Sequence, residues 1–223
     1  MLEAIGIGRK VDGRRLLDDI SLSIRGDQRL ALVGPSGGGK TLLLRALAML
    51  DPLDVGEIRW HGRIVSPNEI PRFRAWVMFL PQRPMLPEGV VEEILRQPFS
   101  LKVHARKRFE RWKIVALLKS LGQSEAFLSK RQSDLSGGQI QLVALLRAMQ
   151  LDPDILLLDE PTAALDRETV EMAESLVATW FDGRPKERRA TVWVTHDREQ
   201  VRRVCASSLY LRNGRLKAIP GER

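Results

Sequence analysis

The chain has a single cysteine, Cys205, a single tyrosine, Tyr210, and no aromatic residue before Trp60. A lone thiol excludes an internal disulfide and a cysteine-built metal cluster, and it suits a reducing compartment. No apolar run approaches the roughly 18 to 20 residues needed to cross a bilayer, and the N-terminus shows neither a basic leader nor a long apolar segment. The expectation is a chain that stays on the cytosolic side. Acidic residues are in the minority, 28 against 36 Lys and Arg, for a net charge of +8. Basic clusters at 102–113 and 184–189 would suit nucleic acid, anionic head groups or phosphorylated ligands, or simply a solvated surface. With Phe109 and Trp112 read as part of a buried face, they lack interleaved exposed aromatics and a nucleic-acid motif, so nucleic acid is disfavoured as a partner. No internal repeat or low-complexity tail is present, and 223 residues can bury a substantial core.

What the chain does have is Gly34-Pro35-Ser36-Gly37-Gly38-Gly39-Lys40-Thr41, which fills every fixed position of G-x-x-x-x-G-K-[ST]. The run from Arg29 to Val33 reads as a short buried strand, and Leu42 to Leu50 as an apolar helix, so the loop lies between strand and helix. There the glycines can turn successive N–H groups toward an anion while the helix presents its positive end. Lys40 adds a charge for the terminal phosphates, and the Thr41 hydroxyl suits Mg2+. The bland alternative is a glycine-rich turn that opens an ordinary helix.

Before the loop, Leu2 to Ile7 and Leu16 to Ile24 read as strands of an antiparallel sheet around the turn Val11–Arg14. Gly56 to Arg63 reads as another strand, and Ala75 to Leu80 as a buried one that delivers Pro81 and Gln82 to its C-terminal end. From Pro84 to about Lys130 the pattern becomes mostly helical, with Arg106 to Leu121 amphipathic and Phe109, Trp112, Val115, Ala116, Leu118 and Leu121 available for its buried face. Leu135-Ser136-Gly137-Gly138-Gln139 then opens an apolar helix to about Leu151, either as a second anion site or as a plain glycine N-cap. The aliphatic run Ile155 to Leu158 ends in Asp159 and Glu160. With a phosphate loop in the same chain, Asp159 would support Mg2+ and Glu160 would orient the water that attacks the γ-phosphate; a strand followed by an acidic helix cap is the alternative. Next come Ala164-Leu165-Asp166, a helix from Arg167 to about Phe181, a basic loop over 182–189, and the strand Thr191 to Thr195, which presents His196 and Asp197. A helix over Val201 to Ala206 and a hairpin about Asn213-Gly214 close the chain.

Taken together these stations resemble the ATP-binding subunit of an ABC (ATP-binding cassette) transporter over nearly the whole chain. The phosphate loop Gly34–Thr41, the Q-loop glutamine Gln82, the signature Leu135–Gln139, the acidic strand Ile155–Glu160, the D-loop Ala164–Asp166 and the switch His196 match in order and approximate spacing. The resemblance implies an α/β P-loop NTPase fold with a mostly parallel core sheet, an antiparallel β subdomain and a helical subdomain. It implies one ATP-binding domain over 1–223 with a helical insertion at about 84–150. ATP and Mg2+ are the implied substrate and cofactor, with Gln82, Glu160 and His196 catalytic and Thr41, Gln82 and Asp159 around the metal. The implied assembly is a homodimer or pseudo-dimer in which Leu135, Ser136, Gly137, Gly138 and Gln139 of one subunit reach the ATP of the other. A separate integral membrane permease, touched by the region from Gln82 to about Ser100, would supply the pore, and the chain would sit peripherally on the cytoplasmic face of the inner membrane. The short length, the Pro81–Pro84 loop and the run Trp193–Asp197 look most similar to small bacterial iron or metal exporters. A cassette serving a non-transport cell-wall or division complex is the other reading. Two positions depart from the family. No aromatic precedes Trp60 to stack on adenine, which leaves Arg9 to Val11 there, and Leu142 stands where the family often has arginine.

Overall fold

The structure, a computed structural model, describes residues 1–183 and 188–219. Most of the basic stretch after Asp182, at residues 184–187, lies outside the described residues. The first half runs β1 (Leu2–Val11), β2 (Arg14–Ile24), β3 (Arg29–Val33), α1 (Lys40–Leu47), β4 (Val55–Trp60), β5 (Arg63–Ile64), α2 (Ile70–Trp76), β6 (Val77–Leu80), α3 (Val91–Arg96) and α4 (Arg111–Ser120). The second half runs α5 (Gly137–Met149), β7 (Ile155–Asp159), α6 (Arg167–Asp182), β8 (Ala190–Val194), α7 (Arg198–Val204), β9 (Ser207–Arg212) and β10 (Arg215–Ile219).

Two sheets result. The antiparallel one has the order β2-β1-β4-β5. Its first hairpin turns on Asp12 and Gly13, both at positive φ, the backbone that a two-residue turn between right-twisted strands requires. The second has the order β10-β9-β3-β8-β7-β6 and is parallel except for the β9–β10 hairpin, which turns on Asn213-Gly214. This order makes β6, β7 and β8 neighbours, so three consecutive strand ends open onto one edge. β7 is buried at every position, and that is why it reads as an unbroken aliphatic run.

Side-chain alternation along β7 divides the core in two. Ile155 and Leu157 face Leu43, Leu44 and Leu47 of α1 and the antiparallel sheet's Ile7, Leu17 and Ile20. Leu156 and Leu158 face the helical layer, with Ile94, Leu118, Phe127, Leu145 and Trp180. Leu142 lies in this second cluster with 2% exposure, as an ordinary core side chain.

The structure corrects three local expectations. Ala75 belongs to α2, and the strand begins only at Val77. Pro71 in the first turn of α2 costs no hydrogen bond there, and the turn buries Phe73. Seven residues are too few for a helical period to show in the sequence. The helix expected from Arg106 begins at Arg111 and buries Ile114 and Leu118, while Trp112 is 68% exposed with Lys113 over its ring. The last helix starts at Arg198 rather than Val201, capped by the Asp197 carboxylate, which accepts from the N–H groups of Glu199 and Gln200.

Candidate nucleotide site

β3 ends at Val33 and the chain swings into the phosphate loop. Gly34, Gly37 and Gly39 have φ of 153, 71 and 90°. A Cβ on Gly34 would sit 2.2 Å from the Leu211 carbonyl, so β9 forbids any side chain there. Gly39 caps α1 without a side chain, which leaves the first-turn amides uncovered by any side-chain acceptor. Lys40 folds back over the loop, and its Nζ donates to the Gly34 and Pro35 carbonyls at 3.0 Å each. Burial holds the Lys40 ammonium below its usual range, while the Glu160 and Asp159 carboxylates pull it back up.

At the end of β7, two strands from β3, Asp159 Oδ2 accepts from the Thr41 hydroxyl at 2.7 Å. Asp159 is 3% exposed. Its carboxyl is pushed above the usual range, first by burial and then by Glu160, against the Thr41 hydrogen bond and Lys40. Glu160 departs from strand geometry at φ 47°, with its N–H on the Val194 carbonyl at 3.0 Å and its own carbonyl accepting from Gln141 Nε2 at 3.2 Å. This backbone aims the carboxylate between the flanking strand ends. Gln82, after β6, donates its Nε2 to Glu160 Oε2 at 2.7 Å, and His196 Nε2, after β8, lies 3.1 Å from Oε1.

The expected site residues therefore fall into two groups. Lys40, Thr41, Gln82, Asp159, Glu160 and His196 converge on the carboxyl edge of the parallel sheet. Leu135–Gln139 forms a separate helix end. There the Ser136 hydroxyl accepts from the Gln139 N–H at 3.2 Å, and the Gln139 side chain accepts in return from the Ser136 N–H. A Cβ on Gly138 would meet the Ala164 carbonyl at 2.9 Å, so signature and D-loop pack on each other. Asp166 caps α6, accepting from the Thr169 N–H and hydroxyl at 3.0 Å, and the N–H bond holds its carboxyl below the usual range. Arg9 is tied to Asp54 at 3.0 Å.

Sequence reading missed Gln141, which is 1% exposed inside an apolar helix, and the buried group Thr162, Glu174 and Gln200. A polar residue on an otherwise apolar helix face was the available signal for Gln141. For Gln200 and Glu174, the signal was their place on the inward faces of α7 and α6.

The donor set suits a hard cation, since the Thr41 hydroxyl, the Asp159 carboxylate and the Gln82 amide all offer oxygen. Among the described residues no group of three His, Cys, Asp or Glu could hold a metal by itself, so phosphate oxygens and water would complete the shell.

Comparison with known proteins identifies the family and the fold. The family described as ABC transporter matches residues 17–163. The nickel import ATP-binding protein NikE of Shigella flexneri is 30% identical over 217 residues, which span 95% of this chain and 80% of that protein. The tungstate uptake system ATP-binding protein TupC of Peptoclostridium acidaminophilum is 32% identical over 210 residues, 94% and 93% of the two chains. A dimeric ATP-binding cassette solved in a post-hydrolysis state with ADP and Pi superposes with a TM-score of 0.84 at 26% identity, covering 99% of this chain and all of that one. With the phosphate loop, signature and acidic strand set on one P-loop fold, and with these matches over nearly its whole length, the chain belongs to the ABC transporter family as an ATP-hydrolysing ATP-binding subunit.

Proposed function

We propose that residues 1–223 act as one ATP-binding domain that converts ATP hydrolysis into solute transport through a separate membrane-spanning permease. The observation that carries the chemistry is the Glu160 carboxylate held between Gln82 Nε2 and His196 Nε2, beside the Thr41–Asp159 pair. In this reading the loop N–H groups of Gly34–Gly39, which Pro35 lacks, and the Lys40 ammonium take the β- and γ-phosphates. Thr41, Asp159 and Gln82 hold Mg2+, which when bound neutralises charge on the phosphate oxygens. Glu160 accepts a hydrogen bond from water and turns its oxygen in line with the γ-phosphorus, and His196 donates toward the γ-phosphate oxygens. The water oxygen bonds to the γ-phosphorus as the P–O bond to ADP breaks, and the water's proton passes to Glu160 and on to the phosphate formed, giving ADP and phosphate. Ser136, Gly137 and Gly138 of a second copy or a close relative would close over the same γ-phosphate, with Asp166 fixing the D-loop beside them.

Coupling is assigned to the surface next to Gln82. Pro81, Pro84, Met85, Leu86 and Leu101 line a groove of about 540 Å³ that fits an apolar segment of the permease. No helix among the described residues is long and apolar enough to cross a membrane. As an ATP-binding subunit the chain would bind the permease peripherally at the cytoplasmic face. The relatives named for nickel and tungstate support uptake of a small inorganic ion; export of iron or another metal rests on the Pro81–Pro84 and Trp193–Asp197 runs alone. The test is to purify the tagged chain from gently solubilised membranes of its source cell with ATP present. A single multi-spanning protein in fixed ratio is expected. Recovery of a soluble complex or nucleic acid, with no membrane protein, overturns the transport assignment.

A further inference from the structure

Behind the catalytic edge lies a buried polar group that the hydrolysis chemistry does not use. Gln200, 3% exposed, donates its Nε2 to Thr162 Oγ1 and to Glu174 Oε1, both at 2.9 Å. Glu174, 7% exposed, also accepts from Arg203 Nε at 2.8 Å and NH2 at 2.9 Å. Thr162 is 9% exposed. Each partner is covalently close to a residue of the site. Gln200 follows His196 by four positions on α7, Thr162 follows Glu160 by two, and Glu174 lies on α6, which Asp166 caps.

A buried amide with two acceptors is satisfied only when all three segments keep their spacing, because a lost partner leaves a desolvated polar atom. Arg203 of α7 also ties to Glu174 of α6, while the tie from α7 to Thr162 is made by Gln200. His196 Nε2 and Glu160 Oε1 meet at 3.1 Å across this same junction. We propose that Gln200 is a positioning residue for ATP hydrolysis, a buried clamp that binds the His196 helix to the Glu160 loop and to the Asp166 helix and so fixes the His196–Glu160 separation. It touches no phosphate and acts only through the residues it holds. The inference rests on the roles of Glu160 and His196 proposed above.

The clamp predicts a loss in turnover rather than in binding, since its hydrogen bonds run to Thr162 and Glu174 and not to the phosphate loop. Gln200→Met keeps the length of the side chain and removes both donated bonds. Misplacement of catalytic groups by a fraction of an ångström lowers turnover steeply, and we expect kcat to fall about tenfold, with KM and the affinity for a fluorescent ATP analogue within about twofold of the parent. Thr162→Val removes only the loop acceptor, leaves Glu174 and Arg203 paired, and should lower kcat about threefold with binding kept. The exchanged pair Gln200→Glu with Glu174→Gln keeps one amide facing one carboxylate and should recover most of the Gln200→Met loss. Glu160→Gln is assayed in parallel. If Glu160→Gln retains turnover, the reading of the site fails first. If Glu160→Gln is inactive while Gln200→Met and Thr162→Val both hydrolyse ATP within twofold of the parent, the clamp alone is refuted. It is equally refuted if both variants lose nucleotide binding and kcat together, which is the signature of a purely structural role; should Gln200→Met not fold, Thr162→Val carries the test.

Discussion

At the carboxyl edge of the parallel sheet Lys40, Thr41, Gln82, Asp159, Glu160 and His196 each have a partner at 2.7 to 3.1 Å. In the groove that begins one residue from Gln82, at Pro81, the opposite holds. Met85 is 93% exposed and Leu101 55%, and His104, 3% exposed, has a buried Nδ1 with no hydrogen-bond partner. The side chains of the first surface are hydrogen-bonded within the chain and hold charge ready for a substrate. The second is apolar and unfinished, as suits a face completed by another polypeptide. The polar edge carries a cost in the free chain, because Asp159 is desolvated and stands next to Glu160. Function is thus set against stability at the first surface, while the second leaves large apolar side chains exposed.

The contrast can be broken at the polar edge first. Asp159→Asn keeps an acceptor for the Thr41 hydroxyl but removes the charge that Mg2+ needs, and we expect kcat to drop about a hundredfold. The same variant should be more stable than the parent without nucleotide, by about 1 kcal/mol. The sign follows from the raised carboxyl: the parent gains stability as pH falls through the raised folded value toward the ordinary carboxylate range, and the Asp159→Asn variant lacks that gain. Thermal melts of both proteins between about pH 7 and 4 check it.

At the groove the effects are smaller. Burial, with Lys107 adding to it, holds the His104 imidazole below its usual range, so the native state keeps it neutral. The unfolded chain takes up a proton below about pH 6.5, and stability present above that value is lost as pH falls through it. His104→Leu removes both the titration and the unpartnered Nδ1. It should stabilise the chain by about 1 kcal/mol, flatten the melting temperature below pH 6.5, and leave ATP turnover of the isolated subunit unchanged. A drop in turnover would show that the two surfaces are not separable in this way.

How much of each surface could be read from the sequence follows the same division. The polar edge was legible because its residues sit in short runs whose chemistry depends on adjacency: Gly34–Thr41, Asp159 after four aliphatic residues, His196 after another buried strand. Strand order supplied what adjacency could not, by placing β6, β7 and β8 side by side so that Gln82 and His196 reach Glu160 from either side. The groove was legible only by resemblance. Its wall gathers Pro71, Met78, Leu101, His104 and Leu151 from elements scattered over about eighty positions, several of them turns too short to carry a period. Trp112 failed for a related reason, since a ten-residue helix that buries only Ile114 and Leu118 leaves room for a large apolar side chain on its solvent face. The clamp around Gln200 was missed because its three members are isolated polar residues, far apart in the chain, with no motif among them.

The most direct measurement is steady-state ATP hydrolysis of purified Glu160→Gln beside the parent chain, with nucleotide affinity measured on the same samples. The proposed role of Glu160 predicts ATP binding within about threefold of the parent, an ATP-bound dimer that persists on gel filtration, and turnover lower by about a hundredfold or more. Turnover equal to that of the parent, with binding intact, would contradict it and move the water-orienting role away from this carboxylate.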